Sequence, residues 1–334
     1  MDAASLIAAA REPLSRAETE ALFHAIFEGA LNETQLIAYL SATADRKPQV
    51  EEIVGAVTAM RGHMRPVSAP AGAIDLCGTG GDGLGTLNIS TAVSFVVAAA
   101  GVTVAKHGNR SASSRSGAAD VLEALGVKVG LEPDAASDVL AKTGIVFLFA
   151  PTHHPAMRHV GAARKAIGRR TIFNLLGPLA SPARVTRQLV GVFSADWLEP
   201  YAQALRELGS SKAVIVHGQD GLDEVSISAP TDAALLDGGT VARATFTPEQ
   251  AGLSRHPLPA IVGGDAAHNA AALRRLFDGE PGAYRDIVCL NAAAALMVAD
   301  AASDIKAGAD IAGRMLSSGA ARDKLNQLIA ASNA

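Results

Sequence analysis

The spacing of hydrophobic residues divides the chain into two parts. Over about the first sixty residues, apolar side chains recur every three or four positions, which predicts amphipathic helices and no strands. Capping-box patterns at Ser15-x-x-Glu18 and Asn32-x-x-Gln35, and the proline Pro48, mark three helix starts. One apolar face consists of Val50, Ile53, Val54, Val57 and Met60. A helical bundle this short should bury such faces against either the following domain or a second subunit.

From residue 73 onward, short and fully apolar runs alternate with helical patterns, which predicts an α/β domain with a covered, largely parallel sheet. The predicted strands are Ala73–Cys77, Val102–Ala105, Ile145–Phe149, Leu189–Phe193, Ala213–His217 and Val225–Ser228. The predicted helices between them are Ile89–Ala100, Ala118–Leu125, Pro133–Lys142 and Trp197–Leu208. A hairpin follows at Ala233–Phe246, and the tail from Asp265 is alanine-rich helix.

The run between Pro151 and Pro182 is basic and helical again, so the chain is expected to return to the helical part. We predict a small helical domain made of residues 1–66 and a second segment at about 160–185. Residues 70–155 and 186–334 would form a large α/β domain with a central, mostly parallel sheet. Two crossings between the domains would create a hinge.

Composition narrows the function classes. The 334-residue chain has a net charge of −4 and 19% charged residues, whereas a general nucleic-acid binder is usually basic, so a local basic cluster favours a small anionic ligand. The two cysteines, Cys77 and Cys289, have no CxxC spacing, which favours buried thiols over a disulfide or a metal site. No secretory leader pattern occurs, and no apolar run reaches the ~18–20 residues of a membrane span, so we expect a soluble, cytoplasmic protein.

A glycine-rich loop joins the first predicted strand to the helix that opens at Asn88. Glycine permits backbone angles closed to other residues, and a helix N-terminus presents free N–H groups, so the loop suits a phosphate. The dinucleotide-binding pattern would need a helix directly after Gly83 and an acidic residue about 20 positions on, and the nucleotide-triphosphate loop would need a lysine after Gly85. Neither is present, and Asp82 would repel a naked phosphate. A structural turn and a phosphate site therefore both remain open.

Two further loops carry candidate chemistry. Lys106 to Ser114 follows the second strand and offers two cations, an amide and several hydroxyls, which can surround phosphate oxygens; an exposed polar loop is the alternative. Asp223 and Glu224 follow the Ala213–His217 strand and suit Mg²⁺, although a solvated acidic turn would have the same sequence. A cation held there would neutralise a pyrophosphate in the glycine loop, so the three loops support one another. The histidines lack metal-ligand spacing, and no GxSxG or HExxH motif occurs.

Four stretches together resemble the anthranilate phosphoribosyltransferases, which act in tryptophan synthesis. They are GTGGDGLGTLNIST at 78–91, KHGNRSASSRSGAADVLEALG at 106–126, FLFAPTHHPAMRHVGAARKAIGRRTIFNLLGPL at 147–179 and HGQDGLDEVS at 217–226. The resemblance covers nearly the whole chain. It implies a fold shared with the pyrimidine nucleoside phosphorylases, a homodimer formed through the helical domains, and Mg²⁺-dependent transfer of the phosphoribosyl group from phosphoribosyl pyrophosphate (PRPP) to anthranilate.

The same resemblance implies the site residues. PRPP would be bound by Gly78, Gly81, Asp82, Thr86, Asn88, Ile89, Ser90, Thr91, Lys106, His107, Gly108, Asn109, Arg110, Ser111, Ala112, Ser113 and Ser114. Anthranilate would contact Gly78, Asn109 and Arg164, with Arg164 facing its carboxylate. Ser90, Asp223 and Glu224 would hold Mg²⁺, as two ions per protomer. Arg164, Asn109 and Lys106 would act in catalysis by positioning the two substrates.

The chain departs from the family pattern at a few positions. Leu87, Ala118, Ala162-Ala163 and Ser181 stand where the family usually has Phe, Ser, Pro-Val and Asn. The missing proline before Arg164 leaves the backbone there less constrained, which bears on the reach of that arginine.

Two other functions remain to be separated from this one. A pyrimidine nucleoside phosphorylase would share the fold and the glycine loop but has little use for the Asp223-Glu224 pair. A non-enzymatic relative would turn the basic residues 158–170 toward a nucleic acid and would have no need of intact glycine and acid-pair motifs.

Overall fold

The structure is a computed structural model that describes residues 3–110 and 115–334. In this part of the chain the helices are α1 (Ala3–Ala9), α2 (Arg16–Phe27), α3 (Glu33–Arg46), α4 (Val50–Gly62), α5 (Ile89–Ala99), α6 (Ala118–Leu125), α7 (Pro133–Thr143), α8 (Ala150–His153), α9 (Gly161–Ile167), α10 (Phe173–Leu179), α11 (Leu198–Glu207), α12 (Ala266–Phe277), α13 (Ala283–Val298), α14 (Ile305–Ser317) and α15 (Ala320–Ser332). The strands are β1 (Ile74–Leu76), β2 (Val104–Gly108), β3 (Ile145–Phe149), β4 (Arg187–Gly191), β5 (Lys212–Gly218), β6 (Thr231–Asp237) and β7 (Thr240–Phe246).

One sheet organises the large part of the molecule, in the order β3-β2-β1-β4-β5-β6-β7. Strands β1 to β5 pair in parallel, whereas β6 and β7 pair antiparallel at one edge as the predicted hairpin. The chain moves outward from β1 through β2 to β3 and then crosses to β4 on the other side of β1. The expected fold class, a small helical part with a large α/β domain around a mostly parallel sheet, is confirmed.

The N-terminal helices form where the capping patterns predicted. The side chain of Ser15 accepts from the N–H of Glu18, and that of Asn32 accepts from the N–H of Gln35, each within a complete capping box. Helix α4 begins at Val50, two residues after Pro48.

The sheet separates two hydrophobic cores, because alternate residues of a strand face opposite sides. Leu189 and Val214 join the core formed with α5, α12 and α13, whereas Val190 and Ile215 join the core formed with the N-terminal helices. This second core also contains residues of α9, α10 and α11, including Ala163, Phe173 and Tyr201. The packing supports a second helical segment at about 160–185, and it adds α11 to the same core. The division into two domains stays a prediction.

The structure differs from the predicted strands in two ways. First, β2 and β4 begin two residues away from their predicted starts. Strand β2 continues through Lys106 and His107, whose backbones pair with Phe147 and Leu148 of β3, and a hydrophobicity pattern does not detect this pairing because both side chains are polar. The predicted strand Val225–Ser228 is wrong. Its alternation arises because Ser226 and Ser228 donate their hydroxyls to Asp220, which folds the segment into a compact turn.

Among the described helices, none is both long enough and apolar enough to cross a membrane.

Candidate active site

The candidate site lies where the order of the sheet reverses. The glycine loop leaves the carboxyl end of β1, and the acidic loop leaves the carboxyl end of β5, with β4 between these two strands. Helices on such a sheet diverge at this point and open a crevice at the carboxyl ends of the strands. Loops that are far apart in the chain therefore meet at one edge of the sheet.

The glycine loop has a backbone that few other sequences could adopt. The four glycines with positive φ are Gly80 (67°), Gly81 (84°), Gly83 (78°) and Gly85 (61°). The loop is anchored to β4, because the N–H of Thr79 donates to the carbonyl of Gly191 at 2.8 Å. Asp82 stabilises the turn from within by accepting the N–H of Leu84 at 3.1 Å. The loop then leads into α5, where the N–H of Ser90 in the first turn bonds to the carboxylate of Glu224.

The acidic loop touches the glycine loop. A β-carbon on Gly78 would lie 3.0 Å from Oδ2 of Asp223, and one on Gly191 would lie 1.6 Å from the backbone oxygen of Asp223. Only glycine fits at position 191, so the end of β4 brings the two loops into contact. The expectation that the glycine and acid-pair motifs adjoin is met by this geometry.

The electrostatics of the site are dominated by carboxylates that lack enough counter-charge. Burial, followed by repulsion from Asp82, raises the pKa of Asp223. Burial, followed by repulsion from Asp223, raises the pKa of Glu224, while Lys106 and the N–H of Ser90 lower it in part. Three acids and one lysine thus converge, and this arrangement attracts a cation.

This donor set fits Mg²⁺. Carboxylate and hydroxyl oxygens are the ligands that Mg²⁺ accepts, and it is usually held by one or two carboxylates together with substrate phosphates. In residues 3–110 and 115–334 no group of three or more His, Cys, Asp or Glu side chains could hold a metal by itself. A site completed by substrate oxygens is consistent with that finding.

Lys106 lies beneath the glycine loop. Its Nζ donates to the carbonyl of Leu76 at the end of β1 and lies 3.4 Å from Oγ of Ser90 at the start of α5. Its neighbour Asp75 is fully buried on β1 and accepts the N–H of His107 at 2.9 Å. Burial raises the pKa of Asp75 to about 7, and the nearby Lys106 lowers it in part.

The remainder of the predicted phosphate loop divides into three groups. His107 is buried, with its ring 5.1 Å from that of His154 and its Nδ1 3.1 Å from the carbonyl of Gly177, so its side chain points into the core. Asn109 is exposed, and Arg110 pairs with Asp120 at 2.8 Å and with Glu123 at 2.7 Å on α6. Ser111, Ala112, Ser113 and Ser114 lie outside the described residues.

Ile89 and Thr91 can act only through their backbones, because their side chains are buried in α5. The side chain of Thr86 is half-buried, and its backbone forms an antiparallel bridge with Val262. Gly78, Gly81, Asp82, Ser90, Lys106, Asp223 and Glu224 are the predicted residues that the fold brings together.

Arg164 lies on α9, a short helix that ends at Gly168 with a φ of 63°. The helix forms without the usual proline, and Ala163 fills the buried position next to it. The guanidinium of Arg164 lies 5.6 Å from the centre of the Phe173 ring, and burial lowers its pKa. It forms no ion pair with any residue of the described ranges. A partly desolvated arginine in this state is suited to an incoming carboxylate.

Sequence reasoning missed the role of Arg170. Its guanidinium lies 4.3 Å from the centre of the Phe193 ring and donates through Nη2 to the carbonyl of Gly81. It therefore ties the segment after α9 to the glycine loop. Arg170 belongs to a basic run, and nothing in that run distinguishes it from its neighbours.

Comparison with known proteins agrees with this geometry. Residues 71–322 match the family model described as the glycosyl transferase family a/b domain, and residues 6–64 match the helical bundle domain of the same family. The chain is 54% identical to anthranilate phosphoribosyltransferases of Xanthobacter autotrophicus and of Rhodopseudomonas palustris, over 96% of its length and 93% and 95% of theirs.

Solved structures agree as well. The anthranilate phosphoribosyltransferase of Thermus thermophilus superposes with a TM-score of 0.94 at 40% identity, covering 100% of both chains. The Saccharomyces cerevisiae enzyme in complex with PRPP and Mg gives a TM-score of 0.88 at 27% identity, over 96% of this chain and 94% of that one. With relatives more than half identical along nearly their whole length, the chain belongs to the anthranilate phosphoribosyltransferase family.

Proposed function

We propose that the contacting glycine and acidic loops are the reaction centre through which this chain transfers the 5-phosphoribosyl group of PRPP to the amine of anthranilate, releasing pyrophosphate. The transfer follows from the family to which the chain belongs, and it places the protein in tryptophan synthesis. The roles of individual residues are supported by one observation above all. The backbone that suits a phosphate touches the half-buried carboxylates that suit a cation.

In the reaction a bond forms between the anthranilate nitrogen and C1 of the ribose, and the bond from C1 to the pyrophosphate oxygen breaks. The proton that the amine loses leaves with the pyrophosphate or passes to water. An aromatic amine is a weak nucleophile, so C1 acquires positive character while the pyrophosphate departs. The amides of the glycine loop, the first turn of α5 and the Lys106 ammonium would hold the phosphates. Holding both substrates in register can contribute up to about 7–11 kcal/mol to lowering the barrier, so no strong general base is required.

Asp223, Glu224 and the Ser90 hydroxyl would hold Mg²⁺, in two ions per protomer, one on the acid pair and one reached by Ser90 and the pyrophosphate. When bound, the ions supply Lewis-acid stabilisation of the charge on the leaving group, worth several kcal/mol by general precedent. Without them, the clustered carboxylates of Asp82, Asp223 and Glu224 would repel an anion, and the same crowding, after burial, raises the pKa values of Asp223 and Glu224.

Anthranilate would lie between the glycine loop and α9. Arg164 would face its carboxylate, with Asn109 and Gly78 beside the ring. The Arg170 contact with Gly81 supports this arrangement, because it fixes the segment that follows Arg164 against the PRPP loop. Asn109 is exposed, and because its Oδ1 accepts the N–H of Arg110 at 2.7 Å, it would meet a ligand through its Nδ2.

The oligomeric state and location are further proposals. A homodimer through the N-terminal helices would cover part of the surface of α1 to α4, and the protein would work in the cytoplasm. Sedimentation equilibrium tests the first: a dimer of 34.0 kDa chains is expected, and a monomer at micromolar concentration would contradict it.

One assay tests the reaction. The purified protein is mixed with anthranilate, PRPP and Mg²⁺, and the anthranilate fluorescence is followed. Fluorescence should decay only when all three are present, with one pyrophosphate released for each anthranilate consumed. Phosphorolysis of thymidine or uridine without Mg²⁺ would instead favour a nucleoside phosphorylase. Salt-sensitive binding of single-stranded nucleic acid without fluorescence decay would favour a non-enzymatic relative.

A further inference from the structure

Two buried asparagines on the tail helices reach the two loops of the site. Asn291 of α13 is fully buried and forms two hydrogen bonds to one residue, Val225, directly after Glu224. Its Oδ1 accepts the N–H of Val225 at 2.8 Å, and its Nδ2 donates to the carbonyl of Val225 at 2.9 Å. Its Nδ2 also donates to the carbonyl of Ile287 in its own helix at 2.9 Å. The side chain thus pairs with the backbone of the acidic loop as a strand would.

Asn269 of α12 forms hydrogen bonds that hold the glycine loop in a similar way. It is 2% exposed, its Oδ1 accepts the N–H of Gly264 at 2.8 Å, and its Nδ2 donates to Oδ1 of Asn88 at 2.8 Å. The N–H of Gly264 can only donate, which fixes the orientation of the Asn269 amide. Asn88 begins α5, and its own Nδ2 lies 3.4 Å from the carbonyl of Ser116, beyond the Lys106 loop.

Residues 261–263, just before α12, also bond to the glycine loop. The N–H of Leu87 donates to the carbonyl of Ile261 at 2.9 Å, and the N–H of Gly263 donates to the carbonyl of Gly85 at 2.9 Å. A β-carbon on Gly263 would lie 2.6 Å from the carbonyl oxygen of Thr86, so the approach is closer than any other residue permits. The whole second half of the glycine loop therefore rests on the tail.

We infer that Asn269 and Asn291 are positioning residues. Asn269 holds the glycine loop from behind, Asn291 holds the acidic loop from behind, and together they keep the two loops in register. The inference rests on the proposed function of these loops. Neither asparagine touches the proposed ligands. Asn291 bonds to the backbone of Val225, next to Glu224, and Asn269 bonds to the side chain of Asn88, which is itself a proposed PRPP residue. A buried amide that is removed leaves its partners unsatisfied, and the loop shifts to find others.

This inference predicts a split in ligand affinity that a merely structural role would not produce. Asn291→Ala should weaken the binding of Mn²⁺, used as a paramagnetic probe for the Mg²⁺ site, by about tenfold, as is typical when support behind a metal ligand is lost. Asn269→Ala should raise the dissociation constant of PRPP at saturating Mg²⁺ by about tenfold, with a smaller effect on Mn²⁺. The KM for anthranilate should change less than twofold in both.

Milder variants keep the test valid if an alanine variant fails to fold. Asn269→Asp keeps the acceptor for Gly264 and loses the donor to Asn88, so it should reproduce the PRPP defect with a smaller loss of thermal stability. Asn291→Ser should retain part of the Mn²⁺ affinity. Asn333→Ala is the matched control: its Nδ2 donates to the carbonyls of Gly126 at 2.9 Å and Ile329 at 2.8 Å, at the far end of the tail, and it should alter neither affinity.

Binding measurements distinguish an error in the positioning role from an error in the proposed function of the loops. Binding is measured without turnover, by calorimetry for PRPP and by electron paramagnetic resonance for Mn²⁺. If the wild-type chain binds neither, the function assigned to the loops is wrong. If the wild type binds both and the asparagine variants bind them within twofold, losing only melting temperature, the positioning role is wrong and the loops keep their function.

Discussion

Gly78 and Asp223 are so close that a β-carbon on the glycine would lie 3.0 Å from the carboxylate oxygen Oδ2 of the aspartate. One residue begins the glycine loop and the other begins the acid pair, so this contact joins the two motifs. The next nearest atom to that β-carbon is the carbonyl oxygen of Gly191 at 3.4 Å, which closes the space on the side of β4.

Gly78→Ala should therefore displace Asp223 rather than unfold the chain, because the backbone at this position needs no positive φ. We expect the Mg²⁺ concentration for half-maximal rate to rise and kcat/KM to fall by about tenfold, equivalent to about 1.4 kcal/mol. Gly130→Ala is the control, since its nearest neighbour would be Oγ1 of Thr152 at 3.9 Å, and it should have wild-type kinetics. Equal kinetics in the two variants would contradict the assignment of Asp223.

The double variant Asp223→Asn, Glu224→Gln removes charge while preserving shape. Turnover should fall by about 100-fold or more, the size expected when several kcal/mol of metal stabilisation is lost. The melting temperature should not fall, because burial and mutual repulsion already disfavour the two charges. Steady-state rates against Mg²⁺ concentration and a thermal melt measure both effects. Asp232→Asn with Asp237→Asn removes two charges from β6 as a control, and a wild-type Mg²⁺ response in the 223/224 variant would remove the metal assignment.

Arg164→Ala should raise the KM for anthranilate by about 10–100-fold, the range expected for loss of a hydrogen-bonded charge pair, and leave the KM for PRPP nearly unchanged. Arg164→Lys keeps the charge and loses the planar pair of donors, so it should recover only part of the loss. Lys165→Ala on the exposed side of α9 is the control. An increase in the KM for PRPP alone would place Arg164 at the other substrate.

Asp75→Asn tests the pH dependence of stability. The pKa of Asp75 is raised to about 7 in the folded chain because burial disfavours its charged form, against about 3.9 when unfolded. Between these values the folded state holds the proton more tightly. The carboxyl therefore stabilises the fold fully below pH ~4, and this contribution is lost as the pH rises through about 7.

Urea unfolding of wild type between pH 4 and 8 should show this decline, and Asp75→Asn should flatten it, since the amide can still accept from His107. Asp304→Asn is a control of opposite sign. Its backbone bond to Ala307 lowers the pKa of Asp304, so its contribution is present above the unfolded pKa and is lost only as the pH falls further. An unaltered slope in Asp75→Asn would show that another group is responsible.

Short-range sequence patterns were sufficient to predict much of the fold. The helix boundaries at Ser15 and Asn32 follow from capping boxes, which act over three residues. Strand β3 occupies its predicted range because its apolar run is uninterrupted, and α6 does so because its apolar residues recur at helical spacing. The strand predicted at Val225–Ser228 is wrong because the alternation of apolar and hydroxyl residues there serves a turn around Asp220. Periodicity alone does not distinguish these two uses.

The sequence predicted which kinds of ligand the site could bind, but it did not predict where each side chain would lie. A run of glycines indicates a backbone that can bind a phosphate, and two adjacent acids indicate a pair that can bind a cation. Both are properties of the residues themselves. The pairing of Arg110 with α6 and the inward-facing ring of His107 were not predictable, because each depends on a neighbour supplied by another element.

By itself the sequence determined the alternation of strands and helices, the bent loop after β1 and the acidic loop after β5, because backbone conformation and charge are set by residues adjacent in the chain. Only the tertiary structure decided that Gly78 meets Asp223, that partial burial raises the pKa values of Asp223 and Glu224, and that Asn269 and Asn291 reach the loops from behind. Contact and burial depend on segments far apart in the chain, and they are settled by how the sheet is ordered and how the helices pack on it.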